Sequence, residues 1–248
     1  MKKILPMILS VLLLVITTSC SYNTSNQSDS MKTAENQESL SVKSNLQFKN
    51  KDSLDNILPP DEKGNFLSAS ANNYEYYLDD NDLEYTFIEG TDILCGISYP
   101  TVETWHIEEM PELNKDKILS ITNEYLVSQV PEFNDYTFTS SDYQPYLFYY
   151  IIEYSYFLND IETDDIIRTI IYKNGQMNAY FMPNRGKYKD ISLSQEKLDN
   201  AIDKAKKKTE GKDWRVSQTI KKVETDLYLV SNCFADKDQM SFSVLIES

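Results

Sequence analysis

Two stretches decide the fold: Leu113-Asn114-Lys115-Asp116-Lys117-Ile118 and Leu193-Ser194-Gln195-Glu196-Lys197-Leu198. In each, Asn114 or Ser194 is a good helix N-cap, and the acidic residue at the second helical position suits the positive end of the helix dipole. Leu113 with Ile118, and Leu193 with Leu198, are placed to staple the chain entering the helix. The first helix carries Ile118, Ile121, Tyr125 and Leu126 along one side until Pro131 stops it. The second carries Leu198, Ala201, Ile202 and Ala205 until Gly211. Both are amphipathic, so each needs a surface to lie on.

Downstream of each helix the chain reads as strands. After the first come residues 136–139, the long run 146–158, then 166–172 and 176–181, with Asn174-Gly175 as a hairpin turn. After the second come 214–223, 227–234 and 240–246, where Met240, Phe242, Val244 and Ile246 alternate with Ser241 and Ser243. Two helix-then-meander units emerge, which a divergent duplication explains. Upstream, residues 74–78, 83–88 and 93–99 read as three further strands, the first two joined by the turn Asp79-Asp80-Asn81-Asp82. The expected fold is α+β: two tandem units, 113–190 and 191–248, each one amphipathic helix packed on an antiparallel sheet, preceded by a small β segment, 61–112.

The cap signatures, the run Ile170-Ile171-Tyr172-Lys173-Asn174-Gly175-Gln176 and the helix of residues 194–208 together resemble the PepSY-like modules of bacterial surface lipoproteins. The resemblance covers residues 113–248. It implies a binding, inhibitory or regulatory role at the envelope, without a cofactor and without catalytic residues.

Residues 1–19 read as an export signal. Lys2 and Lys3 precede an apolar run, 4–16, broken by Pro6 and Ser10. That run is short of the roughly 20 residues a membrane-spanning helix needs. It ends in Thr17-Thr18-Ser19-Cys20, which resembles the lipobox of bacterial lipoproteins, with Thr17 where Leu is commonest. The resemblance implies lipidation of Cys20 and a chain held by lipid on the cell membrane or outer membrane, facing outside the cytoplasm. The alternative is a cleaved signal with Cys20 unmodified. Residues 20–60 are rich in Ser, Asn, Gln and Lys and end in Pro59-Pro60, so they read as a flexible tether.

Composition excludes several classes. One His, His106, and three Cys among 248 residues leave no parts for a multi-His metal site or a four-Cys cluster. Six Gly, none arranged as a phosphate loop, argue against nucleotide chemistry. With 24 Lys+Arg against 39 Asp+Glu, net charge −15, nucleic acid is not an expected partner. The acidic groups at 79–84 and 160–165 read as solvated hairpin tips in preference to Ca²⁺ loops, since an EF-hand's Gly and distal Glu are missing. Paired carboxylates of a hydrolase are not identifiable among so many acids. Cys95 with His106 would form a nucleophile pair, but Cys95 alternates with Ile93, Ile97 and Tyr99 on a strand face that reads as buried. With Cys20 lipidated, Cys95 and Cys233 are either a disulfide or two buried thiols.

Two anomalies remain. Residues 146–157 hold seven aromatics, and Tyr146, Phe148, Tyr150, Tyr154 and Tyr156 would share one strand face: a central strand under a helix, or a platform for stacking sugars or peptides. Charge is also uneven. Residues 61–182 hold five basic and 23 acidic residues, whereas 183–223 hold twelve basic and six acidic, with Lys204, Lys206, Lys207 and Lys208 ending the second helix. The sequence therefore leads to a lipid-anchored envelope protein that binds or regulates another protein or peptide. Solute or glycan binding through the Tyr-rich strand is the first alternative, and an envelope hydrolase the second. Wall polymer is a further expected partner for the basic stretch.

Overall fold

The structure, a computed structural model, describes residues 42–67, 70–101 and 104–247. The signal segment and Cys20 lie outside them. Eleven strands form one mixed, mostly antiparallel sheet among the described residues: β1 (Gln47–Asn56), β2 (Ser70–Leu78), β3 (Glu84–Ile88), β4 (Leu94–Ser98), β5 (Tyr136–Gln144), β6 (Tyr149–Leu158), β7 (Ile161–Tyr172), β8 (Met177–Phe181), β9 (Arg215–Val223), β10 (Asp226–Ala235) and β11 (Asp238–Glu247). Three helices accompany them: α1 (Thr104–Glu108), α2 (Lys115–Gln129) and α3 (Gln195–Thr209). Strand order is β1-β2-β3-β4-β8-β7-β9-β10-β11, with β6 also pairing β7 and β5 pairing β6.

The two long helices start where the caps place them. Asn114 accepts the amide of Lys117 at 2.8 Å, and Ser194 accepts that of Lys197 at a looser 3.5 Å. Ile118, Thr122 and Leu126 are the buried positions of α2; Leu198, Ala201 and Ala205 are those of α3. Each helix covers its own core. The first joins Ile118 and Leu126 to Ile152, Tyr154, Ile167 and Ile171. The second joins Leu198, Ala201 and Ala205 to Leu229, Phe242 and Val244.

Local chemistry sets the hairpins. Asn159 and Asp160 both have positive φ, 46° and 63°, which is the two-residue turn that matches strand twist, and it joins β6 to β7. Gly175 has φ 87° in the β7–β8 turn, and a Cβ there would stand 2.7 Å from Ile121 Cδ1 and 2.9 Å from Leu113 Cδ1. Glycine thus serves both the turn and the close approach of α2. Thr163 pairs in parallel with Ile220, which links β7 to β9 and so joins the two helix-covered regions.

Two expectations need correction. The tether does not extend to residue 60. β1 pairs along β2 from Gln47/Leu78 to Asn56/Ser70, and Lys49 and Lys51 reach Glu84 (2.5 Å) and Glu89 (2.8 Å). Main-chain pairing and these charges hold a strand that has little apolar content of its own. Beyond it, Leu58 packs with Val223 and Val230, and Pro60 accepts the amide of Ser243 at 2.8 Å. The long run 146–158 likewise does not begin as a strand, since β6 starts at Tyr149. Residues 145–148 are a turn, with Phe148 at φ 55°, so β5 and β6 form a hairpin.

Candidate functional site

Two features stand out: a buried polar junction between the two helix-covered regions, and an open sheet edge on the first.

The junction grows from the alternation of β7. Thr163, Asp165, Ile167, Thr169 and Ile171 share one face and are all buried. Asp165 is 1% exposed. Its carboxyl accepts the Tyr136 hydroxyl at 3.0 Å and the Gly186 amide at 3.1 Å. Burial, opposed by those two hydrogen bonds, raises its pKa to about 7. Its neighbour Asp164 points elsewhere, to Lys187 Nζ at 3.2 Å and the Tyr188 hydroxyl. Tyr188, fully buried, also accepts the Lys222 amide of β9 at 2.9 Å.

Residues 183–188 form a strap whose polar groups nearly all lock into this junction. Pro183 accepts the Tyr74 hydroxyl (2.8 Å), Asn184 donates to the Asp164 carbonyl (2.7 Å), and Arg185 forks onto Glu132 at 2.5 and 2.9 Å. Burial alone would raise the Glu132 carboxyl, but the Arg185 guanidinium holds it below its ordinary value. Burial also lowers Lys187, against the pull of Asp164. An open cleft of about 400 Å³, lined by Asp92, Ile93, Leu94, Glu132, Arg185 and Gly186, lies beside the strap. Chemically, the arrangement stores a proton near neutral pH and ties it to packing between the two regions.

Among the described residues the open edge is that of β5, which pairs there with β6 alone. Its sequence, Tyr-Thr-Phe-Thr-Ser-Ser-Asp-Tyr-Gln, has no Lys, Arg or Pro to blunt it, and its one irregularity is a bulge between Phe138 and Ser140. Phe138 is 44% exposed, and the adjoining turn shows Tyr146 at 92% and Leu147 at 45%. The other terminal strands are guarded: β1 carries Lys49 and Lys51, and β11 meets Pro60 and Asp61 at Ser243.

The residues singled out from sequence are scattered through the fold. Tyr150 and Tyr154 are buried in the first core, and Tyr154 donates to Asn123 at 2.6 Å. Tyr156 is partly buried and Phe148 and Tyr146 sit in the turn, so the five rings share no open face. The platform geometry is therefore not formed. Cys95 and Cys233 are both free, on β4 and β10, which corrects the disulfide alternative. Cys95 donates to the Thr86 carbonyl at 3.3 Å, and burial pushes its pKa up to about 12, far from a reactive thiolate. His106 is exposed on α1. Asp79 folds its own turn by accepting the amides of Asn81 and Leu83. Asp164 and Asp165 are not a solvated tip but part of β7, and no group of three or more His, Cys, Asp or Glu fit to hold a metal occurs among the described residues. Lys204, Lys206, Lys207 and Lys208 are exposed at the end of α3.

Sequence reasoning missed the junction. The signal was present: the alternation of 167, 169 and 171 runs back without a break through Asp165 and Thr163.

No family model matches the chain, and no curated protein does. Among solved structures, the fold is similar to the Bacillus megaterium YpeB C-terminal domain, at a TM-score of 0.36 and 6% identity over 79% of this chain and 85% of that one. At that distance no residue's role carries across.

Proposed function

We propose that this is a lipid-anchored envelope protein whose folded part binds or regulates another protein, presented as an extended segment, without catalysing a reaction. The observation that carries it is the edge of β5, unpaired among the described residues and without Lys, Arg or Pro, beside exposed Phe138, in a sheet whose other terminal strands are charged or partly covered. An exposed edge of this kind offers a row of main-chain donors and acceptors to an incoming strand. The resemblance of residues 113–248 to PepSY-like modules points the same way.

Thermal unfolding of the full chain against peptides, sugars, wall fragments and divalent ions tests this, because a ligand of the folded state raises Tm by mass action. A concentration-dependent rise with peptides alone is the expected result. A rise with sugars or wall fragments and none with peptides would overturn it in favour of solute binding.

A further inference from the structure

We propose that the β5 edge takes an extended peptide whose residues alternate between apolar and basic. The inference rests on the binding role proposed above and names its partner chemistry.

The register of β5 on β6, which shifts by one residue at a bulge between Phe138 and Ser140, divides its side chains between two faces. Phe138, Ser141 and Tyr143 lie opposite Tyr154, Ile152 and Tyr150, the residues that α2 covers. Phe138 and Tyr143 lean on the rings of Tyr154 and Tyr150, with centroids 5.9 and 4.7 Å apart. Between them the Ser141 hydroxyl is shielded from solvent and has no hydrogen-bond partner. The other face carries Thr137, Ser140 and Asp142, opposite Ser155, Glu153 and Ile151. Asp142 is exposed, and Ser140 donates to Glu153 at 2.9 Å.

A strand added to β5 that passes the bulge as β6 does, with Phe138 and Thr139 against one residue, repeats this alternation, because side chains of neighbouring strands at matched positions share a face. Its residues beside Phe138 and Tyr143 meet an apolar row; those on the other face meet the exposed carboxylate of Asp142, whereas Glu153 on β6 is already ion-paired with Arg168 at 2.7 Å. Residues 61–182 as a whole hold 23 acidic against five basic residues, so the long-range field favours a cationic partner as well.

The same charges disfavour a second copy of the chain, whose β5 would bring another Asp142 and whose residues 61–182 carry the same excess of acidic residues. The chain's own residues 20–41 fit no better: they hold three acidic residues and one Lys, without apolar alternation.

The test uses the full chain and a capped peptide of alternating Val and Lys, nine residues long like β5. Two controls accompany it: one with Glu for every Lys, and one with the same residues in two blocks. Binding is read by fluorescence anisotropy and its place by amide hydrogen exchange. The alternating peptide is expected to bind and to slow exchange within β5. Asp142→Lys, at an exposed position, should weaken it about five- to tenfold, as loss and reversal of one cross-strand pair predicts, and should improve binding of the Glu peptide.

Equal binding of the block peptide would overturn the inference. So would protection of β5 that appears without peptide and grows with protein concentration, which means a second copy. If β5 stays unprotected while some other peptide raises Tm, this inference fails and the binding role stands; if sugars alone raise Tm, the binding role itself fails.

Discussion

Asp165→Asn is expected to remove a pH dependence of stability that the wild-type chain shows between about pH 4 and about pH 7. The carboxyl is raised from 3.8 to about 7 in the folded state. Through that window the folded protein therefore keeps a proton that the unfolded chain has released. The contribution is fully present below the unfolded value and is lost as pH rises through about 7. At about 1.4 kcal/mol per pH unit, the stability of the wild type should fall by about 2–4 kcal/mol more than that of the variant across this window.

Asn is the fitting replacement because it mimics the protonated acid. Its carbonyl can accept the Gly186 amide and its NH₂ can donate to the Tyr136 oxygen, while no charge is buried. Carboxylates held low elsewhere, such as Glu132, are common to both proteins and largely cancel in the difference. Urea unfolding of both proteins over this pH range measures it. A difference that stays constant with pH would mean that Asp165 is ionised and solvated, contrary to its burial.

Tyr188→Phe should cost roughly 2–4 kcal/mol, although it removes a single oxygen. The hydroxyl donates to the Asp164 carboxylate and accepts the Lys222 amide, so it pins β7 and β9 together where their direct pairing is a single residue pair. Its loss leaves a carboxylate and a main-chain N–H short of a partner in a largely buried site. The effect should extend to Lys187, whose ion pair with Asp164 is then supported by its hydrogen bond to Asn184. Denaturant unfolding gives the magnitude, and amide exchange its place: opening should begin at β9. A loss below about 0.5 kcal/mol, the level of an ordinary surface substitution, would show that the junction does not hold the two regions together.

Much of the fold was legible because local chemistry and global packing agree over it. Asn114 and Ser194 cap, Pro131 and Gly211 stop, and Asn174-Gly175 turns, each for a reason independent of the rest of the chain. Where tertiary contacts decide, the sequence misleads. The turn at residues 145–148 lacks the Gly or Asn of a two-residue hairpin; it is held instead by Lys173, whose amide donates to the Phe148 carbonyl at 2.8 Å and whose ammonium lies over the Phe148 ring. The first strand therefore reads as stopping at 139 and the second as starting at 146, where the structure has β5 reaching Gln144 and β6 starting at Tyr149.

β1 failed for a different reason. Its residues are polar, and its stability comes from pairing with β2 and from lysines reaching across to β3. Composition reports neither. The junction was hidden because acidic residues suggest solvent, yet Asp165 sits in phase with the core positions of β7. Burial of a carboxyl depends on what the strap of residues 183–188 brings to it, and nothing near residue 165 in sequence announces that strap.

Binding through the edge of β5 makes that strand, and not β1 or β11, the surface a partner touches. Photo-cross-linkers placed singly at Thr137 on β5, Lys49 on β1 and Gln239 on β11 test it most directly in intact cells carrying the full chain. A discrete adduct is expected from Thr137, lost on adding the alternating peptide, with none from the other two. Adducts from Lys49 or Gln239 and none from Thr137 would contradict it.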